Sequence, residues 1–262
     1  MASVITFNDG AGYEQYMGVW SRLVGEVFLD WLAPSPGWRW VDVGCGNGAF
    51  TEVLIRRCAP AKVHAIDPSE GQLAFARTRP GAEGTAWERG DAMALPYPDA
   101  NFDAAVMALV MFFVPDPSKG VAEMKRVVKP GGLVAAYVWD VPGGGLPIEP
   151  VDAASRAMGY STAIPTNADV SRMPNLLAEW GKAGLEDVES REIGVTRTFT
   201  NFDALWGAIQ GSDRQQITLR DMGPAKVDLL KQTLRSTLPT AMDGTLVMGA
   251  RANAIRGRVP SQ

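Results

Sequence analysis

The sequence contains little cysteine and almost no histidine. Only Cys45, Cys58 and His64 represent these residue types among 262 residues. Two cysteines are too few for the disulfide framework of a small secreted domain. A zinc site needs several Cys or His ligands, so it would have to be built almost wholly from carboxylates here. We therefore expect no protein-bound metal.

Long apolar runs and basic blocks are also missing. No apolar stretch reaches the roughly 18 residues that suggest a membrane span, and residues 1–30 do not resemble a secretory signal. The 25 Lys and Arg are balanced by 29 Asp and Glu, without the basic stripe typical of nucleic-acid binders. These absences predict a cytoplasmic protein with no membrane span and no nucleic-acid partner, and they leave the oligomeric state open.

Strand-like and helix-like segments alternate through the first half of the chain. Apolar runs occur at residues 38–43, 62–66, 85–89, 102–113 and 133–139, separated by helical patterns that include 50–58 and 116–128. An aromatic-rich helical pattern ending at Trp31 precedes them. Strands separated by helices of this length are joined by right-handed crossovers. The pattern predicts a parallel sheet covered by helices on both faces.

The regular alternation of strand-like and helix-like segments ends after residue 140. A Gly/Pro loop at 141–147 is followed by helical patterns at 148–159, 175–184, 201–210 and 225–238 and by strand-like segments at 188–198 and 245–254. We expect residues 141–170 and 199–240 to be lid insertions over a sheet that is otherwise complete. Residues 256–262 are expected to form a loose tail.

A glycine-rich turn carries the clearest chemical signal. Gly44, Cys45 and Gly46 stand where the first strand turns into the first helix, and glycine there lets the backbone approach a ligand closely. Asp67 ends the second strand about 20 residues later, where a carboxylate can accept both hydroxyls of a ribose. The turn and the carboxylate predict a site for a nucleoside-containing cofactor. With Ala49, the glycines also fit the loose dinucleotide pattern.

Two further acidic positions refine this expectation. Asp42 precedes the glycines by two residues, where a carboxylate can hold loop amides and the ammonium of a methionine-like group. A pyrophosphate would be repelled by the same charge. Asp91 and Ala92 close the third strand, where an acidic side chain can meet an adenine amino group. The set favours a cofactor with a methionine-like end over a dinucleotide.

Residues 41–140 resemble the class I S-adenosylmethionine (SAM)-dependent methyltransferases of the ubiquinone/menaquinone-biosynthesis type. The matching pieces are VDVGCGNG, AIDPSEGQLAFAR, GDAMALPYPDANFDAAV and EMKRVVKPGGLVAAYVWD. The resemblance implies a doubly wound α/β fold, with a seven-stranded, mostly parallel sheet whose last strand is antiparallel, and helical lid insertions. It also implies an enzyme that moves a methyl group from SAM to a small, partly apolar metabolite and leaves S-adenosylhomocysteine (SAH).

The resemblance also assigns regions and cofactor contacts. Residues 1–36, which include the similar stretch YEQYMGVWSR, would close over the cofactor, 37–140 would bind it, and 141–255 would complete the core and the lid. The glycine turn would cradle the methionine end, and Asp67 would hold the ribose. Pro68 would flank the adenine, Asp91 and Ala92 would contact it, and Leu109 would border the sulfonium.

Five other side chains are candidates from their positions alone. Tyr16 and Trp20 lie ahead of the glycine turn, and aromatic faces pack well against a sulfonium, although helical spacing equally fits core residues. Asp140 and Glu149 flank the Gly/Pro loop, where either can orient an acceptor or accept a proton. Trp206, in the second lid insertion, is a candidate wall of an apolar acceptor pocket.

Two alternative functions remain open at this point. The same glycine turn serves NAD(P)-dependent oxidoreductases, and a protein that binds SAM without catalysis would keep the same motifs. Methyl transfer needs no covalent enzyme intermediate, so we expect Cys45 to be a small loop residue and His64 a structural imidazole. The sequence does not identify the methyl acceptor.

Overall fold

The computed structural model describes residues 14–162, 164–210 and 213–261. It begins with a π-helical turn, Glu14–Gly18, that runs into helix α1, Val19–Leu32. One face of α1 is buried through Trp20, Val24 and Phe28, spaced four residues apart as an amphipathic helix requires. Within the described ranges, no helix combines the length and apolarity needed to cross a membrane.

The first half of the fold alternates strands and helices as expected. Its elements are β1 Arg39–Val43, α2 Ala49–Cys58, β2 Lys62–Asp67, α3 Glu70–Ala76, β3 Ala86–Arg89, β4 Phe102–Ala108, α4 Pro117–Val127 and β5 Val128–Trp139. Helix α3 begins after Ser69, whose hydroxyl accepts from the Gln72 N–H, and α4 begins after Asp116, whose carboxylate accepts from the Lys119 N–H. Such caps satisfy N–H groups that have no partner inside the helix.

The second half completes the sheet and adds helices. Its elements are α5 Glu149–Ala157, α6 Met173–Lys182, β6 Glu186–Phe199, α7 Phe202–Gln210, α8 Asp213–Met222, α9 Pro224–Thr237 and β7 Leu246–Arg258. The strand order is β3-β2-β1-β4-β5-β7-β6, with β1 to β5 parallel and β7 antiparallel to both neighbours. This confirms the seven-stranded, mostly parallel sheet. The strand order reverses at β1, so a ligand crevice is expected beside its carboxyl end.

Three local expectations were wrong. Strand β4 ends at Ala108, not at residue 113, and a short 3-10 turn, Met111–Phe113, follows it. The expected strand was too long because the residues of this turn continue its apolar run. Helix α8 was not predicted, since its sequence is largely polar. The tail is also shorter than expected, because β7 continues to Arg258 along β5. The Arg256 guanidinium binds the Glu189 carboxylate and lies over the Trp31 ring. These contacts allow the charged Arg256 to be part of the strand.

Candidate functional site

A cavity of about 810 Å³ opens at the carboxyl ends of β1, β2, β3 and β4. Its walls come from the glycine turn, the end of β2, the residues after β3 and the residues after β4. It contains all the strand-end residues expected to contact a cofactor: Asp42, Gly44, Cys45, Gly46, Asp67, Pro68, Asp91, Ala92 and Leu109. The volume is in the range of small-molecule sites. The topology therefore places these separate motifs around one space.

The glycine turn is held by the end of the neighbouring strand. The N–H groups of Gly44 and Cys45 both donate to the carbonyl of Ile66, at 2.7 and 3.1 Å. Gly44 and Gly46 have φ values of +78° and +52°, which favour glycine. A Cβ on Gly44 would lie 2.4 Å from Cγ1 of Val110, whereas a Cβ on Gly46 would meet nothing within 4 Å. Packing thus requires the first glycine, and the second faces open space at the cavity.

Asp67 joins the glycine turn to the end of β2. Its Oδ2 accepts from the Gly46 N–H at 2.9 Å, and its Oδ1 accepts from the Ser69 N–H at 2.8 Å. Burial raises the pKa of Asp67, and these two backbone hydrogen bonds partly oppose that shift. Each carboxylate oxygen keeps a second lone pair for a ligand hydroxyl. The residue therefore stabilises the turn and also lines the cavity.

Asp42 is fully buried beneath the turn. Its Oδ2 accepts from the Thr51 hydroxyl of α2 at 2.6 Å, and its Oδ1 has no hydrogen-bond partner. Its observed partner is therefore a helix hydroxyl rather than the loop amides that we expected. Burial raises the pKa of Asp42 to about 7, and the nearby charge of Asp67 contributes in the same direction. A buried carboxylate oxygen without a partner destabilises the folded protein unless a ligand cation or hydrogen-bond donor binds it.

The far walls of the cavity come from the ends of β3 and β4. Asp91 Oδ1 accepts from the Met93 N–H at 2.8 Å, which fixes the turn that carries Ala92. Leu109 has a φ of +64°, and its N–H donates to the carbonyl of Tyr137 at 2.8 Å. A left-handed conformation in a branched apolar residue is strained, and such strain concentrates at ligand sites. Leu109 thus lines the cavity in a conformation that its neighbours impose.

Trp20 does not line the cavity as we had predicted. Trp20 is fully buried in the hydrophobic core and does not line the cavity, whereas its neighbour Ser21 does. Successive side chains on a helix point about 100° apart, so neighbouring residues such as Trp20 and Ser21 can face the core and the cavity respectively. The side chain of Tyr16 lies outside the described part of the chain. The N-terminal helix thus reaches the cavity through Ser21, and Trp20 has a packing role.

Sequence reasoning missed a buried arginine that holds the glycine turn. Arg79 donates from Nε to the Asn47 carbonyl at 2.5 Å and from Nη1 to Glu52 of α2 at 2.6 Å, and its Nη2 binds Glu14. Glu14 also binds Arg22 and accepts from Asn47 Nδ2 at 3.0 Å. Burial opposes ionisation of Glu14, but the two arginines lower its pKa overall. This network ties the N-terminal turn to the edge of the cavity.

The proposed acid–base and acceptor residues lie outside the cavity. Asp140 Oδ2 is 2.6 Å from Nη2 of Arg251, and its Oδ1 accepts from the Gly143 N–H. Glu149 binds Arg156 and lines a different cavity. These carboxylates therefore hold loop and helix segments in place.

Trp206 also has a packing role. Its ring is stacked on Phe202 with centroids 6.2 Å apart, and Lys231 Nζ lies 5.0 Å from the ring centroid. It lines neither cavity. The structure thus places Trp206 among the lid helices rather than beside an acceptor site.

The contacts of Cys45 and His64 indicate structural roles rather than catalytic ones. Burial and the charges of Asp42 and Asp67 raise the pKa of the Cys45 thiol, which disfavours a reactive thiolate. His64 Nδ1 lies 2.8 Å from Glu88 Oε1, and its ring packs edge-on against Tyr97.

The sheet order is that of the Rossmann-like methyltransferase fold. Residues 41–136 match the family described as "Methyltransferase domain". The chain is 35% identical over 130 residues to the ubiquinone/menaquinone biosynthesis C-methyltransferase UbiE of Ruegeria sp., covering 48% of this chain and 52% of that protein. It is 38% identical over 117 residues to the demethylmenaquinone methyltransferase of Deinococcus radiodurans, covering 44% and 48%. The chain spans about half the length of these curated relatives.

Solved structures extend the likeness in fold beyond the matched segment. The YcgJ protein from Bacillus subtilis has a TM-score of 0.58 at 15% identity, covering 91% of this chain and 99% of that one. Phosphoethanolamine N-methyltransferase 2 of Haemonchus contortus, solved with SAM, gives 0.56 at 17% identity, covering 98% and 61%. The [4+2]-cyclase SpnF gives 0.56 at 23% identity, covering 97% and 85%. At these identities the likeness shows the fold alone, and none of these matches supports an oxidoreductase.

Proposed function

We propose that this protein is a SAM-dependent methyltransferase that acts on a small, partly apolar metabolite and leaves SAH. The observation that carries the proposal is the unpaired, buried Oδ1 of Asp42, which lines the same cavity as Gly46 and Asp67. A buried carboxylate at this place fits the ammonium of a methionine-like group and disfavours the pyrophosphate of a dinucleotide. The name of the matched family and the names of its relatives agree with this choice.

The residues of the cavity fit each part of SAM. Asp42 would hold the ammonium, Asp67 the ribose hydroxyls, and Asp91 the adenine amino group, with Pro68 against the adenine ring. The open space beside Gly46 leaves room for the methionine end of SAM. When bound, SAM supplies a methyl group on a sulfonium, which is already electrophilic. The chain must then align the acceptor with it, and good alignment alone contributes about 7–11 kcal/mol.

One wall of the cavity suits an apolar acceptor group. It is formed by residues that follow β4 and by the lid: Val110, Phe113, Val114, Pro115 and Ile164. With an acceptor bound against them, these side chains would exclude water from the reacting atoms and so strengthen electrostatic interactions there. Because Asp140 and Glu149 are bound to Arg251 and Arg156, we infer catalysis by positioning without a base from either residue. The quinone-related names of the relatives suggest a neutral ring compound as a first acceptor to test.

Two measurements separate this proposal from its alternatives. Isothermal titration calorimetry is expected to show micromolar-range binding of SAH, and no binding of NAD or NADP. Binding of NAD without SAH would instead support an oxidoreductase.

Incubation with methyl-labelled SAM and a metabolite extract, followed by mass spectrometry, is expected to yield a labelled product. SAH binding without any labelled product would support the non-catalytic alternative. The transfer step has to be measured separately because the fold is shared with a cyclase.

A further inference from the structure

A second cavity of about 960 Å³ lies beside the cofactor cavity, on the lid side. Its walls combine the Gly/Pro loop after β5 with helices α5 and α6, and they include Val141, Leu146, Glu149, Arg156, Asn175 and Lys182. Its volume alone would hold a small metabolite. The two cavities have three wall residues in common: Ile164, Pro165 and Thr166. We call this segment, residues 164–166, the strap.

Asn167 attaches the strap to the loop after β4. Its backbone N–H donates to the carbonyl of Phe112 at 3.1 Å, and its Nδ2 donates to the carbonyls of Val114 and Pro115, at 2.6 and 3.3 Å. Val114 and Pro115 themselves line the cofactor cavity. The Asn167 side chain thus ties the strap to the wall of the cofactor cavity. Loss of the side chain would remove the bonds to Val114 and Pro115 and leave the backbone bond to Phe112.

Ile164 stands at the border between the two cavities. It is 59% exposed although it lines both spaces, so most of its apolar surface lacks protein cover. A single exposed apolar residue is ordinary on a convex surface. Here it projects between two concave sites, where the apolar part of a ligand would cover it.

We propose that the methyl acceptor reaches the cofactor cavity from the second cavity, past the strap, and that Ile164 selects it while Asn167 positions the strap. This inference rests on the proposed function, because the acceptor's reacting atom must touch the cofactor. Three carboxylates at the second cavity are already paired with cations: Glu149 with Arg156, Glu179 with Lys182 and Asp169 with Arg172. The fourth, Asp152, is fully buried and accepts from Gln215 Nε2 at 2.8 Å. Because these charges already have partners, the cavity favours a neutral acceptor with an apolar segment against Ile164.

The first test needs no acceptor. Asn167→Ala is expected to release SAH about fivefold faster in stopped-flow displacement, because two side-chain hydrogen bonds that hold the strap are lost. Asn201→Ala is the matched control, since Asn201 caps α7 and lines neither cavity. The control should release SAH at the wild-type rate. An Asn167→Ala protein that is folded by circular dichroism and also releases SAH at that rate would contradict the positioning role of Asn167.

The second test uses methyl-labelled SAM, a metabolite extract and Ile164→Trp. A larger side chain at the border should reduce labelled product at least about tenfold, and the dissociation constant for SAH should stay within about threefold. Ile217→Ala is the control for exposed isoleucine, because Ile217 is 52% exposed on α8 and lines neither cavity. Ile164→Ala should change the ratio of products, while Ile217→Ala should not.

The two proposals fail in different ways. A wild-type protein that does not bind SAH would contradict the proposed function and this inference with it. A wild-type protein that binds SAH and forms labelled product, but whose Ile164→Trp variant gives the same product at the same rate, would overturn this inference alone.

Discussion

The carboxylate of Asp67 and the backbone N–H of Gly46 are joined by a hydrogen bond of 2.9 Å between Oδ2 and N. This bond connects the end of β2 to the middle of the glycine turn on β1. The carboxylate that we propose as the partner of the ribose therefore also shapes the glycine turn that lines the cavity. Binding and loop conformation are coupled through one side chain, and substitutions should reveal both effects.

Asp67→Ala is expected to weaken SAH binding at least tenfold, because it removes a charge-assisted acceptor whose hydrogen bonds are each worth about 1.5–3 kcal/mol. Asp67→Asn keeps an acceptor oxygen and should lose less affinity. Calorimetry with SAH measures both. Asp203→Ala, which removes an exposed carboxylate on α7, is the control. Unchanged affinity in a folded Asp67→Ala protein would show that this residue does not hold the cofactor.

Gly46→Val is expected to abolish SAH binding. The substitution puts a branched side chain at a φ of +52° and into the space beside the cavity. Gly81→Val provides a matched control, because Gly81 has a φ of +78°, also has open space at its Cβ, and does not line the cavity. Both variants should lose stability from backbone strain, but only Gly46→Val should lose affinity. Equal affinity in the two variants would place the ligand elsewhere.

The strand-end residues were predictable for a topological reason. Parallel strands bring their carboxyl ends to one edge of the sheet, so motifs far apart in sequence, such as Asp42 and Asp91, meet there without any knowledge of side-chain contacts. The end of β4 was harder to locate because Met111 and Phe112 are buried in a turn, and burial alone does not distinguish a turn from a strand. Hydrophobic patterning thus located the strands better than their ends.

The contacts that sequence reasoning missed depend on tertiary packing. Arg79 and Glu14 are 65 positions apart and belong to no spacing motif, so nothing in the sequence connects them. Trp20 and Ser21 differ by one step around α1, and only the packing of that helix decides which of them faces the cavity. Asn167 has no sequence signal either, since its role follows from the position of the lid. Such contacts require the assembled fold.

Arg79→Met should destabilise the protein by about 3 kcal/mol, because removing one member of a buried ionic network leaves its partners uncompensated. Arg79 is only 7% exposed, and its loss would release the Asn47 carbonyl and the Glu52 and Glu14 carboxylates. Urea unfolding measures this free energy. Arg77→Met is the control, because Arg77 makes a more exposed pair with Glu70 and should cost less than about 1 kcal/mol. Similar losses in both variants would mean that the network adds little stability.

Asp42 should make the unliganded protein less stable as the pH rises. Burial raises its pKa from 3.8 to about 7, so between these values the folded state binds a proton that the unfolded state has released. The stabilisation from this proton is complete below the lower value and decreases by about 1.4 kcal/mol per pH unit up to the higher one. The difference in unfolding free energy between wild type and Asp42→Asn should follow that slope. A pH-independent difference would mean that Asp42 titrates normally.

The same proton should be released when the cofactor binds. The ammonium of SAH favours the ionised form of Asp42, so wild-type affinity should increase as the pH rises from about 5.5 to about 7, by at most tenfold per unit. Above the pKa of about 7 the carboxylate is already ionised and the affinity should level off. Calorimetry in buffers of different ionisation enthalpy reports the released proton directly. Asp67, whose pKa is also raised by burial, is unchanged in Asp42→Asn, so that variant isolates the contribution of Asp42. If Asp42→Asn retains the pH dependence of the wild type, the ammonium does not bind at Asp42.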